Sequence, residues 1–67
     1  MHSGKVKWFN DLKGYGFITS SDLPHELYVR FTDILASGYR TLKAGDLVVF
    51  EVDETNGGHK AKNVVKA

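Results

Sequence analysis

The sequence predicts an all-β chain closed into a five-stranded antiparallel barrel. Three observations carry that reading: five short runs of strand-forming residues separated by turn signals, no run with a sustained 3.6-residue apolar period, and a length of only 67 residues. Such a chain suits one small domain, and residues 1–67 are read as one. It buries only about 60% of the surface exposed when unfolded, so its core has little to spare. There is no cysteine to supply a disulfide or a thiolate metal site, and a hydrophobic fraction of 42% must hold the fold alone.

Residues 4–10, Gly-Lys-Val-Lys-Trp-Phe-Asn, alternate and make the first strand. Asn10-Asp11-Leu12-Lys13-Gly14 reads as a turn. Residues 15–19, Tyr-Gly-Phe-Ile-Thr, form the second strand, and Ser20 to Glu26, with the only proline, a loop. Leu27 to Phe31 is the third strand, and Thr32 to Leu42 a long loop with room for one helical turn. Asp46 to Asp53, with Leu-Val-Val-Phe-Glu-Val at its heart, is the fourth. Asn56-Gly57-Gly58 signals a tight turn, and Lys60 to Lys66 is the last strand.

A two-layer arrangement of five strands would leave edges unpaired. Closure into a barrel removes them, and the small Greek-key barrel known as the OB-fold is the usual solution. The predicted core is Val6, Ile18, Leu27, Val29, Val48, Phe50, Val52 and Val64, with Ile34 and Leu42 plugging the ends.

The second strand carries the chemistry. Side chains alternate across a sheet, so if Ile18 is core then Tyr15 and Phe17 face outward. Leu27 and Val29 likewise send Tyr28 and Arg30 outward. Trp8 and Phe9 add two aromatics to the first strand; one of them should face out, and parity does not say which, because a twisted strand end can expose both. A flat aromatic surface fringed by cations is what a single strand of nucleic acid needs. Each base offers a π-face, and stacking on an aromatic side chain is worth roughly 1–3 kcal/mol per base. Lys7, Lys13, Arg30 and Lys60 are candidates for phosphate contacts; about three such contacts give a log–log salt slope near −2. Arg30 can also stack its guanidinium on a base. The competing reading buries these rings in the core, but the aliphatics already suffice for a core this small.

The formal net charge is only +1. Lysines gather at both ends (Lys5, Lys7, Lys13; Lys60, Lys62, Lys66), and if the two ends pair as neighbouring strands they make a basic stripe. The plain alternative is a solubilising surface.

At these residues the chain resembles the cold-shock domain family, over nearly its whole length. Gly4-Lys5-Val6-Lys7-Trp8-Phe9-Asn10 is similar to the family's opening strand, Lys13-Gly14-Tyr15-Gly16-Phe17-Ile18 to its first ribonucleoprotein motif, and Leu27-Tyr28-Val29-Arg30-Phe31 to its second. Gly38-Tyr39, Leu42, Gly45 and Asn63-Val64 follow in order. The resemblance implies sequence-tolerant binding of single-stranded RNA and DNA and the work of an RNA chaperone. It implies that Lys7, Trp8, Phe9, Lys13, Tyr15, Phe17, Tyr28, Phe31 and Tyr39 contact bases or backbone, with polar contacts from Asn10 and Asp22. Strand parity turns Phe31 inward, whereas the resemblance places it on the binding surface, so a bend is expected at the end of the third strand. Arg30 stands where the family usually has histidine, and the last loop lacks the Arg and Pro often found there.

Other classes fit less well. His2, His25 and His59 are scattered without metal-ligand spacing, and no Ser/His/Asp set or phosphate-cradling loop is visible, so neither catalysis nor a metal or cofactor is expected. The aromatic patch could instead bind proline-rich peptides or drive dimerisation; a monomer is favoured. No apolar run approaches the roughly 20 residues of a membrane span. With no leader-like start and no cysteine, the expected compartment is the cytoplasm, and no small-molecule substrate is expected.

Overall fold

The computed structural model describes residues 1–36 and 41–67. Five strands, β1 (His2–Asn10), β2 (Tyr15–Thr19), β3 (Leu27–Arg30), β4 (Leu47–Asp53) and β5 (Lys60–Lys66), close into a barrel in the order β1-β2-β3-β5-β4. The expected OB-type barrel is present, with one refinement. Four of the joins are antiparallel, but β3 and β5 run parallel, meeting at Tyr28 and Lys60. The sheet is therefore mixed. The parallel join follows from closure: with β4 and β1 already paired, β5 can close the barrel only against β3.

Alternation works as predicted through most of the core. Val6, Ile18, Leu27, Val29, Ile34, Leu42, Val48, Phe50, Ala61 and Val64 are buried together. Val52 is only half-buried, because it lies near the end of β4, and packs on the rim of that core. Ala61, too small to stand out in the sequence, fills an inward position of β5. β1 begins at His2, two residues earlier than expected, because its start pairs with β4 through His2 and Phe50.

Two bulges break the alternation. In β1 the register steps from Val6 opposite Ile18 to Trp8 opposite Phe17, so Lys7 is an extra residue. In β5 the register shifts between Val49 and Glu51 of β4, and Asn63 occupies the extra place with φ 51°. That left-handed conformation suits Asn better than other residues with a side chain. Asn63 also donates to the Glu51 carboxylate across the pair at 3.3 Å.

The bend expected after the third strand is a 3₁₀ turn, Phe31–Asp33. It lifts Phe31 out of the inward parity of Leu27 and Val29 and leaves it 44% exposed. A second 3₁₀ turn, Glu54–Asn56, precedes the glycine turn and was not visible in the sequence. Asp53 caps it, accepting from the Thr55 backbone N–H at 3.0 Å and from its hydroxyl at 2.6 Å. β1 and β5 are not neighbours, so the lysines of the two ends do not form one stripe. Among the described residues, no helix is long and apolar enough to cross a membrane.

Candidate nucleic-acid interface

The outward positions of β1, β2 and β3 bring together Trp8, Tyr15, Phe17 and Tyr28. Register explains the meeting: Phe17 lies opposite Trp8 on one side and Tyr28 on the other. The rings form a closed circuit. Trp8 contacts Tyr15 and Phe17 at centroid distances of 5.6 and 5.4 Å, and Tyr28 contacts the same two rings at 5.8 and 5.7 Å. The planes are tilted or edge-on, so each ring steadies its neighbours while keeping part of its surface free. Tyr15, Phe17 and Tyr28 are half-buried and Trp8 is 38% exposed. The bulge decides between Trp8 and Phe9: Trp8 joins the outer cluster, and Phe9 packs against the core.

Glycine makes this surface possible. A Cβ on Gly16 would lie 2.2 Å from the Trp8 carbonyl oxygen and 2.7 Å from the Phe9 Cα. Gly14, with φ +73°, leaves room for Phe31, whose ring a Cβ there would meet at 2.7 Å. The Phe31 N–H donates to the Gly14 carbonyl at 2.8 Å, which ties the 3₁₀ turn to the start of β2. Phe31 thus extends the apolar surface beyond the end of β3.

The candidate cations ring this face in different states. Lys7 pairs with the Glu26 carboxylate, and Lys60 lies 3.7 Å from Asp33. Lys13 and Arg30 are exposed and, among the described residues, have no carboxylate at ion-pair distance. Arg30 stands opposite Tyr15. Glu26, expected only as an acid flanking the loop before β3, puts a negative charge beside Lys7 at the rim; its place before the inward Leu27 was the available clue.

The polar candidates are not alike. Asn10 accepts the N–H groups of Leu12 and Lys13 on Oδ1, both at 3.0 Å, so its carbonyl is committed to the turn. Asp22 is not brought to the aromatic cluster. It accepts from Ser20 and lies 3.1 Å from the His2 ring, at the opposite end of β1 from Trp8. At about 3.3 Å per strand residue, that end is some 20 Å away. The Ser20 hydroxyl, then His2, hold the Asp22 carboxyl below the usual carboxylate range; Thr55, through hydroxyl and backbone, does the same for Asp53. Tyr39 lies outside the described residues.

The histidines are less scattered than the sequence suggested, for His25 and His59 meet face to face. Long-range pairing of two loops leaves no signal in spacing.

Comparison with known proteins agrees with this architecture. A family model described as a 'cold-shock' DNA-binding domain matches residues 2–67. A cold shock-like protein of Aquifex aeolicus is 51% identical over 61 residues, which cover 91% of this chain and 87% of the relative. Cold shock protein CspD of Bacillus subtilis and CspB of Bacillus caldolyticus are each 48% identical over 66 residues, covering 98% of both chains.

Proposed function

The chain belongs to the cold-shock DNA-binding domain family and binds single-stranded nucleic acid in the manner of that family; from this premise we propose that it acts as an RNA chaperone. The observation that supports the mode of binding is the closed circuit of four outward rings, Trp8, Tyr15, Phe17 and Tyr28. Bases would stack on this cluster and on Phe31, and phosphates would meet Lys7, Lys13, Arg30 and Lys60. Tyr39 is carried in this proposal from its motif alone.

The chaperone role follows from mass action. A protein that binds unpaired strands and not duplexes shifts the pairing equilibrium toward the open form, with no energy source. Hairpins in messenger RNA would be held open, with effects on transcription and translation. Function by binding alone, without catalysis or cofactor, and a cytoplasmic setting complete the reading.

Trp8 supplies the test. Its fluorescence is titrated with oligothymidine and with a proline-rich peptide at several salt concentrations. Quenching by the oligonucleotide alone, weakening with salt at a log–log slope near −2, is the expected result. A response to the peptide alone would assign the face to protein partners instead. A hairpin-melting assay on RNA then tests the chaperone step separately.

A further inference from the structure

Two histidines on different loops form one unit beside the aromatic face. His25, from the loop between β2 and β3, and His59, just ahead of β5, stack with ring centroids 3.8 Å apart and planes 15° apart. His25 is half-buried and His59 is exposed, so the pair presents His59 to solvent with His25 behind it. The His59 carbonyl accepts the Tyr28 N–H at 2.8 Å, and the next residue, Lys60, is the strand partner of Tyr28. The backbone carrying His59 therefore lies one strand spacing, about 4.8 Å, beyond that carrying Tyr28. Gly57 and Gly58, which precede His59, have no side chains to cover its ring.

Parallel stacked imidazoles point their nitrogen lone pairs in the ring planes, side by side, and not toward a shared point. Among the described residues, no third histidine or acid joins them in a metal-binding group. What the arrangement offers is an exposed imidazole backed by a second ring, with the side-chain-free Gly57 beside its edge.

We propose that the His25–His59 stack is an additional nucleobase subsite, which takes one base on the face of His59 away from His25 and extends the track of rings from β3 toward the loop between β4 and β5. The proposal rests on the nucleic-acid reading of the four-ring cluster. Histidine is among the side chains on which unstacked bases lie. The backing ring limits the freedom that His59 loses on binding, which favours the contact. Lys60 stands next in the chain, where the phosphate beside that base would pass.

The test is a length series of oligothymidines titrated against the wild-type chain, His59→Ala and His59→Phe, with thermal unfolding as a check on folding. For the shortest oligonucleotides, which cover only the four-ring cluster, the three proteins should bind alike. Beyond the length that reaches His59, the alanine variant should bind about fivefold more weakly, the lower end of the range for one stacked base. The phenylalanine variant should recover the loss. Equal affinity of wild type and His59→Ala at every length overturns the subsite but leaves the four-ring cluster standing. So does a loss of the same size at every length, which would mean that His59 acts only through Tyr28. A His59→Phe variant as weak as alanine overturns stacking as the mode. Absence of wild-type binding at any length would sink the nucleic-acid reading itself.

Discussion

Trp8 and Phe17 face each other across the β1–β2 pair with ring centroids 5.4 Å apart, and the bulge at Lys7 puts them there. Val6 and Ile18, the preceding partners, both point inward. One step along β2 reaches Phe17, but two steps along β1 are needed to reach Trp8. The extra residue lets Lys7 and Trp8 both face solvent, so cation and ring come from consecutive positions.

Phe17→Ala should lower affinity for oligothymidine by about 1–3 kcal/mol while the chain still folds. Its neighbour Ile18 is fully buried, and Ile18→Ala should instead cost about 2–5 kcal/mol of stability. Binding isotherms and urea unfolding of the two variants check the contrast. Unfolding by Phe17→Ala would mean that the ring is structural.

Glu26→Gln should strengthen binding, because it frees Lys7 from its ion pair and removes a negative charge from the rim. The salt slope should steepen by about 0.7 if Lys7 then takes a phosphate. Stability should change little, since exposed pairs contribute about 0–1 kcal/mol. Fluorescence titrations across a salt series give both quantities.

Arg30→His should bind more weakly at neutral pH, with a salt slope shallower by about 0.7. Histidine ordinarily titrates near pH 6.5 (about), so the variant should regain affinity on mild acidification where the wild type does not. An unchanged slope would remove Arg30 from the phosphate contacts.

Gly16→Ala should destabilise the barrel by about 1–3 kcal/mol or more, since the new Cβ meets backbone and not a movable side chain. The urea midpoint measures the loss. Affinity should fall too, because relief of the clash moves the Trp8 carbonyl.

Asp22 and Asp53 predict the acid limb of stability. Both carboxyls are held below the usual range, so the unfolded chain takes up protons first as pH falls. Their contributions are complete above the usual carboxylate range and are lost as pH drops through the folded-state values. The stability difference between wild type and Asp22→Asn or Asp53→Asn should therefore shrink toward zero in acid. Urea midpoints over a pH series test it.

Much of the barrel was legible because its strands alternate cleanly. Ile18, Leu27, Val29, Val48 and Phe50 announce the inside, and Tyr15, Phe17 and Tyr28 follow as the outside. What parity could not supply were its own interruptions. The bulge at Lys7 separates Trp8 from Phe9, and the 3₁₀ turn releases Phe31, whose outward position came from the family resemblance. Contacts between loops distant in sequence were also hidden. Glu26 reaches Lys7 and His25 reaches His59, whereas Asp22, read as a base contact, turns to Ser20 and His2.

The parallel join of β3 and β5 is the thinnest seam in the cylinder: a single strand pairing at Tyr28 and Lys60, with the separate bridge of Ile34 and Val64 beyond it. Elsewhere the staves are laced over four or more positions. Thermal breathing should open this seam before the others, and a polynucleotide lying across Tyr28 toward Lys60 would act as a suture. Its cargo would then slow amide exchange at Tyr28 more than on the far wall, making the protein most rigid where it is most occupied.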